Sequence, residues 1–151
     1  MLNKVTTYID MDGVLAQFEQ APNAMDRFAT EAGFFQTLKP TKMVAELQAL
    51  LDADLAVPLK ILTASPNVQA DADKRAWVEQ HLPQLADKVV IVRDGKDKAQ
   101  YAKDNYLIDD YTENLKFWTE QGGKGIKALN GLNGKTGRYK KVTVDEMVVD
   151  W

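Results

Sequence analysis

The stretch TYIDMDGVLAQFE, residues 7–19, decides how this chain reads. A short apolar and aromatic run ends at Ile9 and is followed at once by Asp10, Asp12 and Gly13. The carboxyl end of a buried parallel strand opens onto the crevice where open α/β sheets take their ligands. Two carboxylates at such an end are placed for chemistry. Standing alone, the same letters also read as a turn, with Asp10 capping it and Gly13 supplying a left-handed backbone.

Outward from that stretch, β-rich runs alternate with helical patterns, the signature of an α/β domain with a mostly parallel sheet. The strand-like runs fall at about residues 4–9, 59–63, 88–92, 106–108 and 125–128. Met43, Val44, Leu47, Leu50 and Leu51 recur at helical spacing, with Thr41 as N-cap. DADKRAWVEQHL (71–82) is a second helix, turning Ala76, Trp77 and Leu82 to the core and stopped by Pro83. His81, the only histidine, reads as a surface residue at its C-terminal end, facing the helix dipole. A third helix starts with Thr112 as cap, carries Leu115, Phe117 and Trp118, and ends at Gly122 or Gly123. Beyond it, Asn and Gly cluster before an alternating run at 139–144, which predicts a turn and an edge strand or hairpin over about 130–151. The NGKTG in this tail is not a phosphate-binding P-loop, because that pattern needs a glycine where Leu129 stands.

Composition narrows the function classes. A chain of 151 residues, 45% hydrophobic, supports one domain spanning 1–151 with a real core. Its net charge of -3 gives no reason to expect duplex nucleic acid or an anionic membrane surface as partner. There is no cysteine, hence no disulfide or thiolate metal site, and no apolar run long enough for a leader or a membrane span. A cytoplasmic protein is the reading.

The other strand ends settle the question left open by Asp10 and Asp12. LKILTASP (59–66) ends at Thr63, with Ser65 and Pro66 reading as N-cap and first residue of a helix. NYLID (105–109) runs into a second acidic pair, Asp109 and Asp110. Between them, RDGKDKAQYAKDN (93–105) offers Lys98 or Lys96 at the start of a short helix. Carboxylates gathered at one sheet edge repel unless a cation sits among them, and an all-oxygen set favours a hard ion such as Mg2+. A hydroxyl and an ammonium suit phosphate oxygens. The constellation predicts a phosphoryl-transfer site.

In this order, DMDGV, ILTASP, the GKDKAQYA lysine and LIDDY resemble the four motifs of the haloacid dehalogenase superfamily of aspartate-nucleophile phosphatases. With FFQTLKP, DKRAWVEQHL and VRDGKDKAQYA added, the likeness is to the 5'-nucleotidase group that includes the 5'(3')-deoxyribonucleotidases, over about residues 7–128. The resemblance implies a Rossmann-like three-layer α/β/α domain with a small helical cap insertion, a nucleophile at Asp10, and an acid/base at Asp12. It implies Mg2+ held by Asp10, the Asp12 backbone carbonyl, Asp109 and Asp110, and a transferring phosphate held by Thr63, Ala64 and Lys98. Lys98 fits the spacing better than Lys96.

The cap is small, about residues 17–39, and carries Phe18, Phe28, Phe34 and Phe35. Phe18 is placed to stack a base or sugar or to join the core, whereas Phe34 and Phe35 read as core. So little lid leaves room for larger phosphomonoesters, or for a neighbour's surface in a homodimer. The expected substrate is a nucleoside monophosphate, the alternative another small phosphomonoester or a polynucleotide end. A receiver-like phosphorylation switch uses similar groups but places its acidic pair before the phosphorylated aspartate, the reverse of the order here.

Overall fold

In the computed structural model, the described residues are 5–54 and 58–129, together with the backbone of a last strand at Asp145–Val148. Six strands, β1 (Thr7–Ile9), β2 (Leu59–Ala64), β3 (Val89–Val92), β4 (Tyr106–Asp109), β5 (Lys124–Leu129) and β6 (Asp145–Val148), form one sheet in the order β3-β2-β1-β4-β5-β6. Every pairing is parallel. The α-helices are α1 (Ala24–Arg27), α2 (Lys42–Asp52), α3 (Val68–His81) and α4 (Thr112–Glu120), joined by 3-10 segments at Phe34–Thr37, Pro83–Leu85 and Gly95–Tyr101.

The two-residue period of the strands sorts the core into two faces. Ile9, Ile61 and Ile108 pack with Met43, Val44 and Leu47 of α2 and with Trp77 and Val78 of α3. Their neighbours Tyr8, Leu62 and Leu107 point the other way, to Leu115 and Trp118 of α4 and to Ala102. This is the Rossmann-like α/β/α layering expected. From β1 the chain first builds outward through β2 and β3, then returns to the other side of β1 with β4. The switch point between β1 and β4 is where such sheets leave a crevice at the strand carboxyl ends.

Several local expectations are corrected. Thr41 precedes α2, but its hydroxyl donates to the Val14 carbonyl at 2.7 Å and makes no side-chain cap. The N-cap of α3 is Asn67, whose side chain accepts from the Ala70 N–H, and not Ser65. Thr112 is the first residue of α4, after Tyr111. His81 lies against the Trp77 ring, centroids 4.5 Å apart, and burial lowers its pKa. The alternating run at 139–144 lies outside the described residues, and β6 lies at the sheet edge beside β5. Among the described residues no helix is long and apolar enough to cross a membrane.

The segment between β1 and α2 leaves and re-enters the domain at one place. The Gln17 N–H donates to the Lys39 carbonyl at 2.8 Å, and Ala16 bridges Pro40. Its aromatic rings cluster around Phe18, whose centroid lies 6.0 Å from Phe28, 5.9 Å from Phe34 and 6.2 Å from Phe35. Phe34 and Phe35 are fully buried, while Phe18 and Phe28 are half-buried.

Candidate active site

Asp10 follows the last residue of β1, and its N–H donates to the Ile108 carbonyl at 2.9 Å, which locks the β1 and β4 strand ends together. Asp109 closes β4, and carboxylate oxygens of Asp10, Asp109 and Asp110 lie within 4.8 Å of one another. Gly13 makes that approach sterically feasible: its φ is +83°, and a Cβ there would sit 2.1 Å from Asp110 Oδ2. Asp10, Asp109 and Asp110 are all buried.

Burial, then the charge of Asp109, pushes the Asp10 carboxyl up to about 7 despite the neighbouring Lys98 ammonium. Asp110 is raised as well, by burial and by the charges of Asp10 and Asp109. The Lys98 ammonium lies 2.8 Å from Asp10 Oδ1 and 2.9 Å from Asp109 Oδ2. Burial pulls its pKa down, but the two carboxylates outweigh that and hold it above the ordinary lysine value. Three carboxyl groups thus share this buried site with Lys98, which bridges Asp10 and Asp109, and with Lys127, which bonds the Asp110 carbonyl. That donor set, all oxygen and preassembled by the two strand ends, fits a divalent hard cation.

Asp109 is held from three directions, because the Tyr111 N–H donates to its Oδ1 at 2.9 Å and Asn114 Nδ2 donates to its Oδ2 at 3.1 Å beside Lys98. Lys127 of β5, in register with Asp109, donates to the Asp110 carbonyl and to Thr112 Oγ1. Burial lowers its pKa to about 8.

A second polar centre adjoins the first at the end of β2. Lys74 of α3, fully buried, extends its ammonium to Asp12 Oδ2 at 2.7 Å, to Thr63 Oγ1 at 2.8 Å and to the Ala64 carbonyl at 2.6 Å. Thr63 therefore meets Lys74, whereas the lysine expected beside it, Lys98, is engaged by Asp10 and Asp109. Lys96 is exposed. Asp12 Oδ1 is buried and is the one such side-chain polar atom without a hydrogen-bond partner among the described residues. A cleft of about 320 Å³ opens here, lined by Asp12, Phe18, Phe28, Phe35, Ala64 and Arg93 among others.

Sequence reading missed Lys74, Asn114 and Lys127. For Lys74 a signal was present: Ala70, Asp73, Lys74, Trp77 and Val78 follow the i, i+3, i+4, i+7, i+8 stripe of a buried helix face. Charged residues on such a stripe are either misplaced or functional. Lys127 carries no comparable mark, since it is one of two lysines in a short strand near the sheet edge.

The family described as "5' nucleotidase, deoxy (Pyrimidine), cytosolic type C protein" matches this chain over residues 18–142. The chain belongs to this family. It is a phosphoric monoester hydrolase of the nucleotidase kind, and the resemblance to the 5'-nucleotidase group of the haloacid dehalogenase superfamily is borne out. The protein named "Putative 5'(3')-deoxyribonucleotidase" of Vibrio phage KVP40 is 32% identical over 123 residues, covering 74% of this chain and 69% of that one. Two solved structures share the fold. D,D-heptose 1,7-bisphosphate phosphatase from Burkholderia thailandensis aligns over 96% of this chain and 91% of its own, with TM-score 0.61 and 14% identity. A haloacid dehalogenase-like family hydrolase from Xanthomonas campestris aligns over 83% and 81%, with TM-score 0.57 and 13% identity.

Proposed function

We propose that this nucleotidase-family chain hydrolyses nucleoside monophosphates in two steps through an aspartyl phosphate on Asp10, with Mg2+ as its cation. The observation that carries the reading is the pairing of two polar centres at the ends of β1, β2 and β4. One is an acidic cluster that crowds Asp10, Asp109 and Asp110 within 4.8 Å; the other is a cationic cradle of Lys74 and Thr63 beside Asp12.

Asp10, Asp109, Asp110 and the Asp12 backbone carbonyl would hold the cation. Bound there, Mg2+ supplies positive charge that favours the ionised form of Asp10 and offsets repulsion between nucleophile and phosphate. The remaining work falls to the chain. An Asp10 oxygen attacks phosphorus while the bond to the ester oxygen breaks, and Asp12 gives its proton to that leaving oxygen. Asp12 then takes a proton from water as the water oxygen attacks phosphorus and releases Asp10. Asp12 Oδ1, buried and unpartnered, is the atom free for these transfers, while Oδ2 is held by Lys74. Lys74, Thr63 and the strand end at Ala64 bind the transferring oxygens, and Lys98 orients Asp10 against Asp109. The residues from about 17 to 39 act as the cap, with Phe18 and Phe35 giving an apolar wall for the nucleoside.

The test is phosphate release from 5' and 3' nucleoside monophosphates, sugar phosphates and a 5'-phosphorylated oligonucleotide, each with Mg2+ and with chelator. Magnesium-dependent turnover concentrated on mononucleotides is the expected result. Equal turnover of sugar phosphates overturns the substrate, and a single phosphorylation without turnover overturns the hydrolytic mechanism.

A further inference from the structure

Asp73 is a buried carboxylate that the reaction outlined above does not use. It is 2% exposed, lies on α3 immediately before Lys74, and makes no ion pair with a lysine or arginine among the described residues. Its partners are neutral donors from two segments. The Gly33 N–H reaches Oδ2 at 2.7 Å and Gln36 Nε2 reaches Oδ1 at 2.7 Å, both from the cap; Gln69 Nε2 of α3 adds a contact to Oδ1 at 3.1 Å. A buried carboxylate is costly unless hydrogen bonds replace its hydration, so three converging donors mark a built contact and not a stray charge. Removing the charge leaves those donors facing a poorer acceptor.

The contact lies at the start of the Phe34–Thr37 segment, where Gly33 adopts φ +83° and Phe34 and Phe35 turn inward. The Lys74 ammonium lies 4.4 Å from the centroid of the Phe35 ring on its way to Thr63 and Asp12. Consecutive residues of one helix thus address the two halves of the cleft: Asp73 holds the aromatic wall and Lys74 holds the polar floor. Two further ties fasten the same segment to α3. Asn67 Nδ2 donates to the Ala29 carbonyl at 3.0 Å, and Trp77 Nε1 donates to the Leu38 carbonyl at 2.8 Å. The cap is stitched along the length of α3 and is not hinged away from it.

We propose that Asp73 is a specificity-determining positioning residue. It fixes the Gly33–Phe35 turn against α3, and so sets the separation between the aromatic wall that receives the nucleoside and the lysine that receives its phosphate. The proposal rests on the nucleotidase reading above. Its consequence is a split by substrate: loss of Asp73 weakens binding of esters that carry a base and spares esters that do not.

The experiment compares wild type, Asp73→Asn and Gln36→Ala on nucleoside monophosphates and on ribose 5-phosphate, with Mg2+ present. Gln36 is exposed, so its variant tests the same contact without disturbing the core. For Asp73→Asn the KM for nucleotides is expected to rise about tenfold with kcat nearly unchanged, and Gln36→Ala to move it the same way by about threefold. Ribose 5-phosphate kinetics stay within about twofold of wild type for both variants. Parallel losses on both substrates, or no change on either, overturn the role assigned to Asp73. A wild type with no preference for nucleotides over ribose 5-phosphate overturns the nucleotidase reading instead, and with it the ligand assigned to this wall; that outcome is visible before any variant is made.

Discussion

The Lys74 ammonium and the Asp12 carboxylate, 62 residues apart in the chain, meet at 2.7 Å, and the same ammonium bonds Thr63 at the end of the neighbouring strand. Helix α3 thereby ties Asp12, three residues past β1, to Thr63 of β2. Replacing Lys74 with Met keeps most of the buried volume and deletes the charge. We expect kcat/KM to fall by about 10²-fold or more, as when a preorganised donor to a transferring group is removed. Steady-state kinetics with a circular dichroism check of folding measures it; wild-type activity in a folded variant refutes the role.

Asp10→Asn preserves shape and removes the oxygen anion proposed as the nucleophile. Hydrolysis is expected to fall by at least about 10³-fold, with no phosphate retained on the protein after denaturation. Rapid quench with a labelled substrate reads both quantities. Phosphate trapped on the folded variant would move the nucleophile elsewhere.

The pH dependence of stability follows from Asp10, whose carboxyl is raised from the ordinary 3.8 to about 7. Between those values the folded chain holds more protons than the unfolded chain, so the stability due to this group is complete below pH 3.8 and is lost as pH rises through 7. In chelator, the melting temperature contribution from this site declines from pH 5 to pH 8. Added Mg2+ is expected to raise the melting temperature more at pH 8 than at pH 5, because the cation binds the ionised carboxylates. Thermal scans at the two pH values check it, and an equal Mg2+ effect at both counts against the acidic cluster as the cation site.

Gly13→Ala places a Cβ 2.1 Å from Asp110 Oδ2 at a φ of +83°. Both the strain and the displaced carboxylate act in one direction. Stability should fall by about 1–3 kcal/mol, and the remaining folded protein should need more Mg2+ for half-maximal activity. Chemical denaturation and a Mg2+ titration give the two readings.

The fold and half of the site were legible in the residues. Apolar runs of strand length ending in Asp10, Thr63 and Asp109 announce a parallel sheet with polar carboxyl ends, because strand sequences alternate sides while their last residues share one edge. Nothing tertiary is needed to see that those ends come together once the strands are parallel. The elements that lay beyond reach are those whose direction depends on docking. Thr41 is a good cap by type, yet its hydroxyl is claimed by Val14, a residue brought to it only when the cap segment closes on itself. Lys98 sat at the right spacing for a phosphate clamp, and it is the packing of the Gly95–Tyr101 segment that sets its ammonium between Asp10 and Asp109.

What the sequence by itself determined is the parallel α/β order and the acidic strand ends, since both follow from local period and chain order. What only the tertiary structure decided is which lysine faces which carboxylate and how the cap is held. A long side chain on a helix can point to solvent or inward with equal local propensity, and the rotation of α3 that buries Trp77 is what carries Asp73 to the cap and Lys74 to the site.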